Sequence, residues 1–342
     1  MATMVSLQKS IKDGFELITI ANNTLSFTVV PAIGAKIISL KSMLTGREWL
    51  EQPQGAHAFL KQPNYGESFV NGFDCGGWDE CFPSINGEQY ALPALRHVLI
   101  PDHGELWCLP WQVTEIVESS NFISLTLRCV GKQLPYVFTR TLTLAADANH
   151  IDIQYQLTNN SDYQLPFVWS MHPIFAAEKG MTIALSTVIN RFKTDSGFKA
   201  FFNTDAITAQ WPYKKQLQGK WIDLDKVLAP DSHFSCKLYS DDLSTDAIKN
   251  QSIEVALVEP PSASGAYQQR CGFRYDSHDI SHFGLWLNYR GWSGSDQPPA
   301  YVVGLEPCLG GADSLNEAIK RDDYYFIKPN SKRNWSVQCF IV

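Results

Sequence analysis

The stretch FTRTLTLAADANHIDIQYQLTNNSD, residues 138–162, decides the fold class of this chain. In its first part, Phe138, Leu142 and Leu144 alternate with threonines, and its second part, from Ile151 to Leu157, alternates apolar with polar residues. Alternation with a period of two predicts a strand that has one buried and one solvated face. The Asp147-Ala-Asn segment between the two parts predicts a hairpin, and the run of turn residues after Thr158 ends the second strand.

The same alternation recurs along most of the chain, at 15–20, 24–30, 35–40, 122–129, 252–258, 283–289, 300–306 and 334–342. Helical periodicity is scarce, and its best candidate is 314–320, where Ser314 and Glu317 have the spacing of a capping box. Many antiparallel strands with few short helices predict an all-β sandwich or barrel. The segment 186–250 is more polar, and we expect long loops there. Because neither a linker nor a repeat interrupts the pattern, we predict a single domain over 1–342.

Composition excludes several classes of protein. The 342 residues include 35 acidic and 28 basic ones, a balance that argues against a partner such as nucleic acid or an anionic membrane. The sequence has no apolar run of membrane-spanning length, and its first 15 residues lack the apolar segment of a secretory signal. The eight cysteines form no C-x-x-C pair. We therefore expect reduced, mostly buried thiols in a cytoplasmic protein, either a monomer or a homodimer.

Polar residues that could carry chemistry interrupt three apolar stretches, at 102–107, 167–173 and 301–307. They contribute His103, His172 and Glu306. Two histidines and a carboxylate on one face would suffice for general acid and base catalysis near neutral pH. The alternative is structural: each histidine is an ordinary interior residue, and Glu306 pairs with an arginine.

Two further patterns were weighed as ligand sites. His278 and His282 are four residues apart, but this spacing gathers metal ligands only on a helix, and the segment reads as a loop leading into a strand. Gly310-Gly311 precedes the short helix and could hold an anion, although Asp313 beside it favours a cap. We predict no metal and no cofactor.

Five segments, in this order, resemble the aldose 1-epimerase (galactose mutarotase) family. They are PAIGAKIISL with GREW (31–40 and 46–49), GGWDECFP (76–83), HGELW (103–107), WSMHP (169–173) and GLEPC (304–308). The resemblance extends from about residue 15 through nearly the whole chain. It implies a large twisted antiparallel β-sandwich with an open sugar-binding cleft. It also implies interconversion of the α and β anomers of aldoses without a metal or organic cofactor.

The resemblance also implies roles for particular residues. His172 would be the general acid that donates to the ring oxygen, Glu306 the general base that takes the anomeric proton, and His103 would help to orient the sugar. Residues expected in the pocket are Trp78, Asp79, Glu80 and Arg96, with Arg47 as another arginine candidate. The acidic residue that binds sugar hydroxyls in the family has several possible counterparts here, namely Asp223, Asp225, Asp241, Asp242 and Asp276. Candidate stacking partners for the sugar are Trp78, Trp107, Trp169, Trp286 and Trp292, although core packing is an alternative for each.

These observations leave several functions open. The first is a mutarotase for a free hexose. The second is the same chemistry on a hexose phosphate, which would require clustered Arg or Lys for the dianion. The third is a carbohydrate-binding protein without catalysis, although such a protein needs no acid paired with a base. A glycosidase fits less well, because it requires two suitably placed carboxylates and the sequence offers one.

Overall fold

The computed structural model describes residues 4–53, 59–197, 209–212, 214–217, 220–248, 250–261, 268–294 and 298–342. Within these ranges the chain forms strands throughout, and one α-helix, α1 (Leu315–Arg321). The strands are β1 (Ser6–Lys12), β2 (Phe15–Ala21), β3 (Leu25–Val30), β4 (Lys36–Ser42), β5 (Gly77–Cys81), β6 (Glu88–Gln89), β7 (Leu99–Ile100), β8 (Gln112–Glu118), β9 (Phe122–Val130), β10 (Tyr136–Ala145), β11 (His150–Asn159), β12 (Leu165–Phe167), β13 (Trp169–Ala176), β14 (Thr182–Leu185), β15 (Arg191–Thr194), β16 (Ala209–Gln210), β17 (Lys214–Leu217), β18 (Lys220–Asp223), β19 (Phe234–Ser240), β20 (Ser252–Val258), β21 (Arg270–Asp276), β22 (His282–Tyr289), β23 (Tyr301–Leu309), β24 (Tyr325–Ile327) and β25 (Lys332–Ile341).

Two large sheets contain most of these strands, and the named strand pairs are antiparallel. The large sheet has 11 strands in the order β1-β2-β3-β4-β5-β13-β23-β22-β19-β15-β16. The small sheet has eight strands in the order β14-β20-β21-β25-β11-β10-β9-β8. The hairpin predicted from 138–162 is β10 paired with β11, near the middle of the small sheet.

Aromatic side chains pack between the two sheets and form the core of a sandwich. Trp78 of β5 contacts Phe273 of β21 edge to face, with ring centroids 5.3 Å apart. Trp169 of β13 contacts Trp335 of β25 in the same way at 5.0 Å. Such pairs add specific geometry to the large apolar area that each ring buries. The predicted all-β antiparallel sandwich is therefore confirmed.

A buried ion pair also joins the sheets. The guanidinium of Arg140 in β10 lies 2.9 Å from the carboxylate of Glu80 in β5, and both side chains are fully buried. Arg140 also donates to the carbonyl of Ala35, and Glu80 accepts hydrogen bonds from the Tyr155 hydroxyl and the Trp169 indole. Burial raises the pKa of Glu80, although Arg140 opposes this shift. Desolvation thus offsets much of the ionic attraction, and the pair fixes how the sheets face each other more than it adds net stability.

The structure also shows the outcome for the capping box, the segment 186–250 and the cysteines. The capping box is formed, since the Ser314 side chain accepts from the backbone N–H of Glu317 at the start of α1. The segment 186–250 is less irregular than expected, because it includes β19, a buried strand of the large sheet. Part of that segment, 198–208, lies outside the described residues. All eight cysteines are free thiols, and all but Cys75 are buried. In the described part of the chain no helix has the length and apolarity to span a membrane.

Removing one member of the inter-sheet ion pair should leave the other as an unpaired buried group. We expect Arg140→Met to lower the free energy of unfolding by about 3–5 kcal/mol, because the Glu80 carboxylate would remain buried without its cation. The double variant Arg140→Met/Glu80→Gln should recover much of this loss. Urea denaturation measures both. As a control, Arg321→Met removes an exposed helical ion pair with Glu317 and should cost less than about 1 kcal/mol. A double variant as unstable as the single one would contradict this account.

Candidate active site

A row of mainly polar residues crosses the face of the large sheet that is turned away from the small sheet. His172 lies opposite Asp79, and the register of β13 with β23 places His172 opposite Glu306. Directly opposed residues in an antiparallel pair point to the same face. From β4 to β15, this polar row consists of Lys36, Asp79, His172, Glu306, Gly284, Tyr239 and Lys193.

The position of Glu306 depends on two glycines beside it. A Cβ atom at Gly304 would lie 2.9 Å from Oε1 of Glu306, and one at Gly284 would lie 3.1 Å from Oε2. Side chains at these positions would therefore crowd the carboxylate.

Glu306 is fully buried between two basic groups. Its Oε1 lies 3.3 Å from Nδ1 of His172, and its Oε2 accepts a hydrogen bond from the Lys237 ammonium. Burial by itself would raise the pKa of this carboxyl group, but Lys237 and then His172 outweigh burial and hold the pKa at about 2. Glu306 is therefore ionised at neutral pH, and His172 is the more accessible of the two, with 8% of its side chain exposed.

A second carboxylate, that of Asp313, lies near Lys237. Asp313, in the loop after β23, accepts a hydrogen bond from the Tyr239 hydroxyl, and its Oδ1 lies 3.9 Å from Nζ of Lys237. Burial raises the pKa of Asp313 to about 6, while the Lys237 ammonium opposes this shift and Asp195 adds to it. Lys237 thus has one carboxylate in contact and another within about 4 Å.

His103 approaches the polar row from a turn. Its backbone is left-handed at φ 62°, and the next residue, Gly104, sits so close to Phe82 that a Cβ atom would collide with the Phe82 backbone. Nδ1 of His103 lies 2.7 Å from Oδ1 of Asp102, and since a carboxylate only accepts, Nδ1 carries the proton and Nε2 is left for a ligand. Burial favours the neutral ring, but Asp102 outweighs it and raises the pKa of His103.

Phe69 holds the two histidines close together. Its ring stacks on His103 with centroids 4.2 Å apart, and it meets His172 edge to face at 5.7 Å. The rings of His103 and His172 are themselves 5.1 Å apart. The structure therefore brings together His103, His172 and Glu306, the three residues that the sequence suggested could converge.

Asp79 joins the site as a partner of the other groups. Its Oδ2 lies 2.6 Å from Nζ of the buried Lys36. Burial lowers and Asp79 raises the pKa of Lys36, and the net effect is an increase, so this lysine is charged. Asp79 is thus a hydrogen-bond acceptor directly beside His172 on the same face of the sheet.

Two tryptophan side chains, Trp286 and Trp292, lie near Gly304, which precedes Glu306 by two residues in β23. Trp286 lies opposite Gly304 in the sheet and contacts Trp292 at 5.5 Å. With Ile174 and Val302 they form a small apolar cluster that is separate from the main core. This position is one that an aromatic platform for an apolar sugar face would occupy.

The structure places other predicted residues away from this face. Trp78 and Glu80 lie on the opposite face of β5 from Asp79 and are buried between the sheets, so the predicted pocket role does not fit their position. Trp169 is likewise in the core, and Trp107 packs beneath Phe69 with its indole donating to the Asp102 carbonyl. Arg96 is exposed at the end of a 3₁₀ turn, where its backbone N–H donates to the Pro93 carbonyl, and no hydrogen bond or ion pair of its guanidinium to other described residues is present.

The remaining candidates have local partners. The relevant contacts are Arg47 with Glu178 and Glu259, Asp225 with Lys226, Asp241 with Arg191, Asp242 with Ser244, and Asp276 with the backbone of His278, whereas Asp223 ends β18. His278 is exposed on a turn and His282 is buried in β22, so they share no helix. Within the described ranges no group of three or more potential ligands could hold a metal ion. The cap of α1 is Ser314 and not Asp313.

Four site residues were missed by the sequence analysis, namely Lys36, Lys237, Tyr239 and Asp313. Lys36 stands inside one of the recognised segments, PAIGAKIISL, and a lysine between apolar residues was a usable signal. Lys237 and Tyr239 lie in β19, a buried strand in which Phe234, Cys236 and Leu238 alternate with more polar residues, and this alternation was a usable signal inside a segment interpreted as irregular.

These features define a galactose mutarotase-like sandwich with a cluster of histidines, carboxylates and lysines on its large sheet. The sequence profile of the aldose 1-epimerase family matches residues 16–274, more than half of the chain. The chain therefore belongs to the aldose 1-epimerase family, as the sequence segments predicted. The match includes His103 and His172 and ends before Glu306.

Solved structures support the same fold. A galactose mutarotase-like protein from Clostridium acetobutylicum is 13% identical, with a TM-score of 0.66 and 99% of both chains covered. A galactose mutarotase related enzyme from Lactobacillus acidophilus is 15% identical, with a TM-score of 0.62 over 95% of this chain and 97% of that one. A galactose mutarotase-like protein from Lactobacillus casei is 15% identical, with a TM-score of 0.59 over 95% and 100%. A search of curated proteins gave no match.

The contact between Asp102 and His103 generates a test of the site's electrostatics. In Asp102→Asn the pKa of His103 should fall, because burial would then act without its opposing carboxylate. Imidazole ¹H–¹³C NMR over a pH series measures this value. Asp152→Asn removes the carboxylate beside the more exposed His150 and should leave the His103 titration unchanged. An unchanged His103 titration in Asp102→Asn would disprove the assignment.

Proposed function

We propose that this protein is an aldose 1-epimerase that interconverts the α and β anomers of a free hexose such as glucose or galactose. The observation that carries the proposal is the cross-strand contact of His172 with Glu306 in a chain of this family. One group can donate a proton and the other can accept one, as anomer exchange requires.

The reaction follows from the two groups. Glu306 takes the proton from the anomeric hydroxyl O1, and the electron pair of that O–H bond forms the C1=O1 carbonyl. The bond from C1 to the ring oxygen O5 breaks with its electron pair on O5, which takes a proton from the His172 imidazolium. Rotation about C1–C2 presents the other face of the carbonyl, and the reverse transfers close the ring as the other anomer. Each proton transfer of this kind contributes roughly 10²–10⁴-fold.

Neighbouring residues would hold the sugar. His103 would offer its Nε2 to the sugar, since Nδ1 is paired with Asp102, and the Asp79 side chain would accept from a hydroxyl. The indoles of Trp286 and Trp292 would cover an apolar face of the ring. Hydrogen-bonding groups beside an aromatic platform suit a ligand that is polar at its edge and apolar on its faces.

A free sugar is favoured over a hexose phosphate by the pairing of the lysines. Among the described residues of the site, Lys36 pairs with Asp79, Lys237 with Glu306 and Lys193 with Asp323. A phosphate dianion would need cations that are available to it. In this site a phosphate would have to displace a carboxylate from each of these lysines.

The proposed setting is the cytoplasm, with the protein as a monomer or homodimer and no nucleic-acid or membrane partner. Its support is the free state of all eight cysteines, which fits a reducing compartment. The net charge of -7 supports the absence of polyanionic partners.

Magnetisation-exchange NMR of the anomeric protons tests the proposal on glucose, galactose and glucose 6-phosphate. Wild-type protein should accelerate exchange of a free hexose, and Glu306→Gln should lose about 100-fold or more of that acceleration because the base is gone. The same change at Glu317, on the surface helix α1, should have no effect. A loss below about tenfold in Glu306→Gln would count against this base. Preference for glucose 6-phosphate would establish the hexose-phosphate alternative, and sugar binding without acceleration a non-catalytic binding protein.

A further inference from the structure

Lys237 poses a problem for the proposed base. Its ammonium contacts Glu306 directly and 6% of its side chain is exposed, so water screens the contact poorly. A carboxylate held this firmly in its ionised form is a weak proton acceptor. In addition, once Glu306 is protonated, a buried ammonium would lose its counter-ion, at a cost of several kcal/mol.

Asp313 offers the Lys237 ammonium a second counter-ion. It lies 3.9 Å from Nζ of Lys237, and 16% of its side chain is exposed. The Tyr239 hydroxyl donates to Asp313 and fixes its position, and the Tyr239 ring lies 5.3 Å from the ammonium. A small movement of a flexible lysine side chain would bring Nζ into contact with Asp313.

We propose that Lys237 is a positioning residue with two alternative counter-ions, pairing with Glu306 while that carboxylate is ionised and with Asp313 once Glu306 has taken a proton. The buried ammonium is then paired in both states of the base, so proton transfer to Glu306 strands no charge. The catalytic consequence rests on the function proposed above, whereas the exchange of partners is a property of the protein alone.

Several other titratable groups lie around Glu306, Lys237 and Asp313. Glu306 is surrounded by titratable groups from the packed strands and loop, namely Cys81, His172, Lys237, Tyr239, Cys308 and Asp313. Burial raises the pKa of both thiols and of Tyr239, so these three are neutral at working pH. The remaining titratable groups are therefore Glu306, His172 and Asp313, and Asp195 also acts on Asp313.

Carboxyl ¹³C NMR measures the exchange of partners without an activity assay, with the signals of Glu306 and Asp313 assigned through their amide variants. In wild-type protein Glu306 should not titrate between about pH 4 and about pH 8. In Lys237→Met it should titrate inside that window, because burial then acts unopposed by the ammonium. Lys237→Arg should restore the wild-type behaviour. A Glu306 that stays ionised down to about pH 4 in Lys237→Met would overturn the first half of the proposal.

Glu306→Gln imitates the protonated base and tests the second half. The pKa of Asp313 should fall below its wild-type value of about 6, because the negative charge of Glu306 is gone and Lys237 then pairs with Asp313 alone. The double variant Glu306→Gln/Lys237→Met should not show this fall. Equal Asp313 titrations in the single and double variants would overturn the proposed exchange.

Anomer exchange then measures the catalytic consequence. Lys237→Met and Asp313→Asn should each lower kcat about tenfold or more with little change in KM, since both act through Glu306. Lys9→Met, which removes a surface ion pair with Glu16, serves as the matched control, and thermal unfolding verifies that each variant folds. An unchanged kcat in Asp313→Asn would overturn the catalytic role. If wild-type protein accelerated no exchange, the proposed function would fail, and the titrations would still decide the exchange of partners.

Discussion

The ion pair of Glu80 with Arg140 is the constraint on which much of this structure depends. It is fully buried between the sheets, and each member belongs to a different sheet. A buried charge accepts only geometries that keep it paired, and an apolar contact is far more permissive. The pair therefore selects one alignment of β5 against β10 from the many that aromatic packing alone would tolerate.

The alignment of β5 has consequences on its other face. Adjacent residues of a strand point in opposite directions, so fixing Glu80 between the sheets fixes Asp79 on the opposite side. Asp79 in turn lies beside His172, and His172 beside Glu306. A slip of β5 by one residue would turn the carboxylate of Glu80 outward and that of Asp79 into the core. The packing of the core and the placement of the site residues are thus coupled through single strands.

The sequence predicted the fold well where one face of a strand is solvated. The alternation at 122–129 and at 138–157 corresponds closely to β9, β10 and β11, and the capping box at Ser314 marks the start of α1. The reason is that solvent on one face leaves a period of two in the sequence. The family segments added His103, His172 and Glu306, which the structure places close together.

The rest could not be predicted because the relevant strands are buried on both faces. In β5, Trp78, Asp79 and Glu80 are all inaccessible, and nothing in the letters says which of them points into the core. In β19, Phe234, Cys236 and Leu238 alternate with Ser235 and Lys237, but the polar character of the whole segment 186–250 hid this short strand. Asp313 lies in a loop, and its proximity to Lys237 arises only from tertiary packing.

The strand order also bears on how the chain acquires this structure during synthesis. β23 lies between β13 and β22 in the large sheet, and β25 lies between β21 and β11 in the small one, yet both are formed by residues beyond 300. A nascent chain that ends at residue 300 therefore has both sheets split, with unpaired strand edges where the missing strands will insert. Such edges invite pairing with other chains, and contacts so distant in sequence form slowly. The same late strand that completes the large sheet also delivers Glu306, so assembly of the sheet and assembly of the site are a single event.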